Sequence, residues 1–100
     1  MSRTYKLSQK ARADLKNIWN YSYDRWGATQ ADKYYNEILD AVEATAKGKK
    51  QGAVFPDRKG YFKIHCGSHF AFYIHMEESN IFVLRILHQS MDLPSHLTEK

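Results

Sequence analysis

The chain has 100 residues, which fits one domain of common size and leaves no room for a scaffold plus an appended catalytic domain. Fifteen Lys and Arg against eleven Asp and Glu give a net charge of +4, which favours an anionic or nucleic-acid-associated partner. Hydrophobic residues make up 43% and charged residues 26%, so the composition excludes intrinsic disorder.

The longest apolar run, residues 70–74, is far shorter than the roughly 20 residues that a membrane helix needs. The sequence also lacks an N-terminal segment of signal-peptide type, so we expect no membrane association and a cytoplasmic location. Cys66 is the single cysteine, which excludes an intramolecular disulfide and a cysteine-based zinc site. We therefore expect neither a metal nor a cofactor.

Residues 3–7 alternate between apolar and polar types, which predicts a short strand. Ser8 is a suitable N-cap for a helix over 8–26, which Gly27 ends, and a second helix is predicted over 29–47. The first apolar stripe is Ala11, Leu15, Ile18, Trp19 and Trp26, and the second is Ala31, Tyr35, Ile38, Leu39, Val42 and Ala46. So short a connection predicts a helical hairpin with one shared face for another layer to cover.

Residues 47–60 form a basic segment between the helices and the second half of the chain. Its cations are Lys47, Lys49, Lys50, Arg58 and Lys59. Because no aromatic interleaving supports a nucleic-acid groove here, we predict a mobile, solvated loop.

The second half of the chain alternates with a period of two, which predicts strands over 61–66, 70–76 and 81–87. The prediction is an α+β fold in two layers: the N-terminal strand, the antiparallel helical hairpin, and a three-stranded antiparallel meander. The even-numbered sheet residues are predicted to pack under the helices, and the N-terminal strand to join the sheet at an edge.

The opposite face of this sheet is predicted to be open. It would carry Tyr61, Lys63, His65, Tyr73, His75 and Arg85. Cations, imidazoles and phenols on one surface can support metal-independent RNA cleavage. They are equally typical of a solvated sheet face, or of a face that a partner covers, since Ile81, Val83 and Leu87 would lie there too.

Four segments resemble ParE-type toxins, the gyrase-directed branch of the RelE/ParE superfamily of toxin–antitoxin modules. Residues 81–92 are similar to the terminal signature of the family. Residues 7–15 resemble its strand-to-helix start, 25–34 its inter-helix turn, and 67–73 its central hairpin. The resemblance covers roughly residues 4–93, and the fold that it implies is the one that the sequence periods predict.

The resemblance implies that residues 1–100 are a single ParE-like toxin domain of a type II system, of the kind associated with plasmid stabilisation. It implies inhibition of DNA gyrase, neutralisation by a ParD-like antitoxin whose flexible segment wraps the toxin, and contact with operator DNA only through the antitoxin complex. The oligomeric state stays open, with a homodimer of the free toxin as one alternative.

Two sets of residues are predicted to contact these partners. For the antitoxin they are Leu15, Trp19, Tyr35 and Tyr73. For gyrase they are His88, Gln89, Met91 and Asp92.

Two other functions stay open. One is a RelE-like, ribosome-dependent messenger RNA endonuclease that would use Lys63, Tyr73, Arg85 and His88, although residues 70–76 lack the arginine that those relatives carry. The other is a degenerate, non-toxic subunit that retains antitoxin binding. The first hypothesis makes the chain a metal-independent enzyme, whereas the gyrase hypothesis makes it a binding protein.

Overall fold

The computed structural model describes residues 5–56, 58–76 and 80–90. Its elements are β1 (Tyr5–Leu7), α1 (Gln9–Trp26), α2 (Ala28–Ala46), β2 (Ala53–Val54), β3 (Phe62–Cys66), β4 (His69–His75) and β5 (Ile81–His88). The element order and the α+β architecture agree with the prediction, and the predicted bounds differ by a residue or two at most ends. The first two residues of the predicted first strand lie outside the described residues.

The two helices form a hairpin whose start is tied to the sheet. The Ser8 hydroxyl accepts a hydrogen bond from the N–H of Ala11 at 2.9 Å and donates one to the Leu84 carbonyl at 2.7 Å. Gly27 alone separates α1 from α2, with a φ of +92°, a conformation that glycine adopts without a side-chain penalty. Within the described ranges, neither helix combines the length and apolarity needed to cross a bilayer.

The five strands form one sheet in the order β1-β5-β4-β3-β2. β1 lies at one edge, as predicted, and pairs in parallel with β5, whereas the remaining pairs are antiparallel. β2 was not predicted, because a two-residue strand inside a basic segment carries no readable period. It forms the other edge of the sheet and pairs with Lys63 and Phe62 of β3.

The main core lies between the helical hairpin and one side of the sheet, called here the helix-facing side. Its buried side chains include Leu15, Ile18, Ile38, Val42, Ile64, Tyr73 and Val83. Burial of each aliphatic side chain of this size stabilises the fold by about 1.5–3 kcal/mol. The stripes predicted from helical spacing supply most of the helical part of this core, but Trp26 remains 61% exposed and Trp19, which is partly exposed, stacks on Tyr23 outside the core.

The predicted orientation of β4 is wrong. Ala71 and Tyr73 pack on the helix-facing side, while Phe72 is buried on the opposite, outer side. The reason is the pairing with β3, which sets Ala71 opposite Ile64 and Phe72 opposite Lys63. Both the odd-numbered and the even-numbered positions of β4 carry apolar residues, so the sequence pattern did not indicate which side faces the helices.

The predicted orientation of β5 is correct at Ile86, which faces the helices, and at Leu87, which lies on the outer side, but it is wrong at Ile81 and Val83. Phe72 pairs with Arg85 and Tyr73 with Val83, so the register shifts by one residue of β5 between them. Such a bulge exchanges the sides of the sheet to which the odd-numbered and even-numbered residues of the strand point. Ile81 and Val83 consequently join the main core before the shift, and not the open face predicted for them.

A second, smaller cluster covers the outer side of the sheet. Phe55 turns back from the end of β2 and packs edge-on against Phe72, with ring centroids 5.2 Å apart. Leu87 is buried beside them, and Tyr61 and Phe70 pack against the group. The basic segment therefore contributes an apolar anchor to the fold, contrary to its prediction as a solvated loop.

Candidate partner-binding groove

A groove of about 930 Å³ lies where the end of α1 meets the start of α2 and the ends of β4 and β5. Tyr21 and Trp26 form part of its lining and are 59% and 61% exposed. Arg25 lies between them, with its guanidinium carbon 5.3 Å from the Tyr21 ring centroid and 5.5 Å from that of Trp26. Exposed aromatic rings that hold a cation at a concave surface are typical of a partner-binding site.

An ion pair on the inner wall of the groove joins α1 to β5. The Asp14 carboxylate accepts hydrogen bonds from Arg85 Nε at 2.9 Å and Nη2 at 3.0 Å, and from the Ile86 N–H at 2.9 Å. The Asp14 and Arg85 side chains are 12% and 19% exposed. The charge of Asp14 is therefore compensated within the fold, and Arg25 remains as a cation of the groove.

Tyr34 of α2 fixes the β3–β4 turn at the floor of the groove. Its hydroxyl accepts a hydrogen bond from the Ser68 N–H at 2.9 Å and lies 3.2 Å from the Cys66 carbonyl and 2.7 Å from His69 Nδ1. The single hydroxyl proton serves one of the latter two. Gly67 has a φ of +62°, and a Cβ there would lie 2.5 Å from the Tyr34 ring. The turn therefore requires glycine for both backbone and packing.

His69 is a neutral imidazole in this groove. Burial, together with the nearby His88, lowers its pKa to about 4. The His88 ring packs edge-on against the His69 ring, with centroids 5.1 Å apart. Burial also raises the pKa of the Tyr34 hydroxyl, so both members of the hydrogen bond are uncharged at neutral pH.

The chain that follows β5 is anchored to the same turn. The Gln89 N–H donates to the Ser68 carbonyl at 2.9 Å, and the Gln89 side chain lies 3.1 Å from His65 Nε2. His88 Nδ1 accepts a hydrogen bond from the Ser90 N–H at 3.1 Å. His88 and Gln89 are thus presented, exposed, at a fixed position beside the groove.

Comparison with known proteins shows to which family this chain belongs. The family model of the ParE toxin of type II toxin-antitoxin systems, parDE, matches residues 5–93. The chain belongs to this toxin family.

Individual ParE relatives cover nearly the whole chain. A Toxin ParE1 from Mycobacterium tuberculosis is 42% identical over 98 residues, which are 97% of this chain and 100% of the relative. A Toxin ParE1 from Caulobacter vibrioides is 40% identical and covers 95% of this chain and 98% of itself. A solved chain of a chromosomal ParDE toxin–antitoxin system from P. aeruginosa superimposes with a TM-score of 0.72 at 25% identity, over 86% of this chain and 95% of that chain.

The four residues considered for nuclease chemistry do not converge in this ParE family member. Lys63 lies on the outer side of the sheet, whereas Tyr73 is buried on the helix-facing side with 2% exposure. Arg85 is held by Asp14, and His88 lies at the groove. The prediction that Tyr73 shares an open face with Lys63 is wrong, because pairing with β3 places Tyr73 on the helix-facing side. Arg85 pairs with Phe72 in the sheet, but its side chain is bound to Asp14 of α1.

The side chains predicted for antitoxin contact have different environments, and none of them lines the groove. Leu15 and Tyr73 are each 2% exposed and belong to the main core, and Tyr35 packs against its edge. Trp19 is partly exposed, stacks on Tyr23 at 5.2 Å, and donates from Nε1 to Asp32 at 2.9 Å.

The lining residues Tyr21 and Arg25 were missed, although their spacing of four places them on one helix face. That spacing was the available signal. His88 and Gln89 lie at the end of β5 as expected, and Met91 and Asp92 lie outside the described residues. Among the described residues, no group of three or more His, Cys, Asp or Glu side chains could hold a metal ion.

Proposed function

We propose that this ParE family member inhibits DNA gyrase and is kept inactive by a ParD-like antitoxin. The observation that carries the proposal is the family match over residues 5–93, supported by 42% identity to a ParE1 toxin over almost the whole chain. On this proposal the domain acts in the cytoplasm and reaches operator DNA only within the antitoxin complex. A homodimer of the free toxin is one state in which it could exist.

The proposed activity is binding, without chemistry by the toxin itself. The Asp14–Arg85 pair supports this, because the carboxylate compensates the charge of Arg85 and occupies the Nε and Nη2 edge of its guanidinium. The burial of Tyr73 supports it as well, since a proton-transfer group must reach the reacting atom.

The antitoxin is proposed to place a segment in the groove that Tyr21, Arg25 and Trp26 line. Such a segment would bring apolar side chains to the exposed rings and a carboxylate to Arg25, because Asp14 is compensated within the fold. A segment that folds on binding suits a groove of this size, because it covers a wide surface and remains removable by proteolysis.

The gyrase-binding element is proposed to start with His88 and Gln89. Both are exposed. Gln89 is held by hydrogen bonds to Ser68 and His65, and His88 accepts a hydrogen bond from the Ser90 N–H. A pre-organised element loses little conformational entropy when it binds, which favours affinity. Met91 and Asp92 extend the proposed element along the chain.

A supercoiling assay with purified gyrase, ATP and relaxed plasmid tests the proposal. Full-length toxin in excess is expected to block supercoiling and to increase cleaved plasmid, and purified ParD-like antitoxin is expected to reverse both effects. The double variant His88→Ala/Gln89→Ala is expected to inhibit at least tenfold less, whereas Lys16→Ala, exposed on α1, serves as the matched control.

The remaining outcomes separate the alternatives. Full gyrase activity at toxin excess would overturn the proposed target. Cleavage of messenger RNA in a translation extract, lost in His88→Ala, would support the endonuclease. Normal growth when the chain is expressed without antitoxin would support the degenerate, non-toxic subunit.

A further inference from the structure

A second cavity, of about 390 Å³, lies beside β3 near the β2 edge and is separate from the groove. Lys50, Lys63, His65 and Phe70 line it, and together they are called here the basic-aromatic patch. Among the described residues that line this cavity, none carries a carboxylate. The fold thus brings two ammonium groups, an imidazole and a phenyl ring to one concavity, although the sequence separates them by up to 20 positions.

Ring contacts hold the Lys63 ammonium at the cavity wall. Its nitrogen lies 4.6 Å from the Phe70 ring centroid and 5.8 Å from that of Phe55. These cation–π contacts restrict a side chain that would otherwise sample many rotamers. Phe55 is in turn fixed on Phe72, so the position of the ammonium group depends on a buried aromatic cluster.

Lys50 is brought to the same cavity by backbone contacts. Its N–H donates to the Ala44 carbonyl at the end of α2 at 3.2 Å. Two residues later, the Tyr73 hydroxyl packs on Gly52 so closely that a Cβ at this position would overlap it. The segment that carries Lys50 therefore lies against the core, and Lys50 lines the same cavity as Lys63.

His65 offers a supported planar surface beside these cations. It is exposed, and its ring lies 4.9 Å from the Phe70 ring at an interplanar angle of 31°. Its Nε2 lies 3.1 Å from Gln89 Oε1, which restricts rotation of the ring. An exposed aromatic plane next to fixed cations is the combination that binds single-stranded nucleic acids, where a base stacks and its phosphate meets an ammonium.

We infer that the basic-aromatic patch binds a nucleotide of single-stranded DNA, with the phosphate between Lys50 and Lys63 and the base on His65. An acidic peptide would use the two ammonium groups but would leave the imidazole face without a partner. The choice of DNA over RNA rests on the proposed function, because gyrase acts on DNA. The proposed gyrase and antitoxin contacts do not include Lys50, Lys63 or Phe70, and His65 meets the gyrase element only through Gln89, so the inference extends that function.

The test is fluorescence anisotropy with a labelled 20-nucleotide oligothymidylate and the full-length toxin, without gyrase. The variant Lys50→Ala/Lys63→Ala is expected to bind about tenfold more weakly, and the magnitude of its slope of log K against log salt should fall by about 1.4. His65→Ala is expected to lose about tenfold in affinity with an unchanged salt slope. The control Lys16→Ala/Lys33→Ala removes the same charge from exposed helix positions and should bind nearly as well as the parent chain.

Four results would overturn the inference. These are no binding by the parent chain, equal weakening in the control variant, equal competition by polyglutamate, and tighter binding of the matching oligouridylate. Circular dichroism and thermal melting of each variant confirm that the fold is retained. Gyrase inhibition without oligonucleotide binding would remove this inference alone, whereas binding without gyrase inhibition would remove the proposed function alone.

Discussion

Asp14 and Arg85 are 71 positions apart in the sequence, yet two hydrogen bonds of 2.9 and 3.0 Å join their side chains. The same carboxylate also accepts the Ile86 N–H, so one side chain closes α1 against β5. Both side chains are largely buried, with 12% and 19% exposure. The pair therefore connects the helical layer to the sheet at the wall of the groove.

Asp14→Ala is expected to lower the free energy of unfolding by about 3 kcal/mol, because it leaves a largely buried guanidinium without its carboxylate. Urea denaturation measures this change. Asp24→Ala, at an exposed position of the same helix, is the control and should change stability by less than about 0.5 kcal/mol. If the double variant Asp14→Ala/Arg85→Met is no more stable than Asp14→Ala, the assigned cause is wrong.

Tyr34→Phe is expected to lower the free energy of unfolding by about 1–2 kcal/mol, because it leaves the Ser68 N–H and His69 Nδ1 without their shared partner. Tyr35→Phe removes the same atom from the next residue of α2 and is the matched control. Equal melting temperatures for the two variants would show that the Tyr34 hydroxyl does not stabilise the turn.

Stability should fall as the pH drops from about 6.5 towards 4. The pKa of His69 is lowered to about 4 in the fold, against an ordinary value near 6.5, so in this range the unfolded chain binds the proton and the folded chain does not. After allowance for partial solvent screening, the expected loss is about 2 kcal/mol. Urea midpoints across this pH range measure it.

His69→Gln should flatten this pH dependence, since it removes the titrating group. His75→Gln, at an exposed position of the same strand, is the control. An equal flattening by the control would assign the effect to general charge repulsion instead of burial of His69.

Gly67→Ala should destabilise the fold more than Gly48→Ala. Both glycines have a positive φ, of +62° and +82°, so both substitutions carry the backbone penalty of about 1 kcal/mol. At Gly67 the new Cβ would also meet the Tyr34 ring, whereas at Gly48 no atom lies within 4 Å. The expected difference is at least about 1 kcal/mol by urea denaturation, and equal values would contradict the packing described for the turn.

Trp26→Ala should weaken antitoxin binding about 30-fold, because it removes the largest exposed ring of the groove. Calorimetric titration of the toxin with its ParD-like antitoxin measures the affinity. Tyr23→Ala removes an exposed ring of α1 outside the groove and should have little effect. A larger loss for Tyr23→Ala than for Trp26→Ala would move the antitoxin site to the other side of the helix.

The sequence by itself determined the order of all described elements except β2, because helical and strand periods are local properties of neighbouring residues. Ser8 and Gln9 start the first helix, Gly27 ends it, and the α+β order follows from the change of period after Gly60. The family resemblance was also readable, since its four segments carry continuous stretches of side chains. These features require no knowledge of which residues meet in space.

The sequence predicted correctly that Ile64 and Cys66 of β3 face the helices, but tertiary structure alone decided the orientation of β4 and of the first half of β5. Phe72 and Tyr73 are both large and apolar, and only the pairing of β4 with β3 assigned Tyr73 to the main core. The sequence of β5 alternates without interruption, but the bulge exchanges which residues face the helices before and after it.

The sites were likewise decided by long-range contact. The sequence presents Arg85 as an exposed cation, whereas in the fold it is paired with Asp14. The sequence presents Lys50 as part of a solvated loop, whereas the contacts of its segment with Ala44 and Tyr73 place it at the cavity that Lys63 lines. Contacts between residues far apart in the chain depend on strand register and layer packing, which no local pattern encodes.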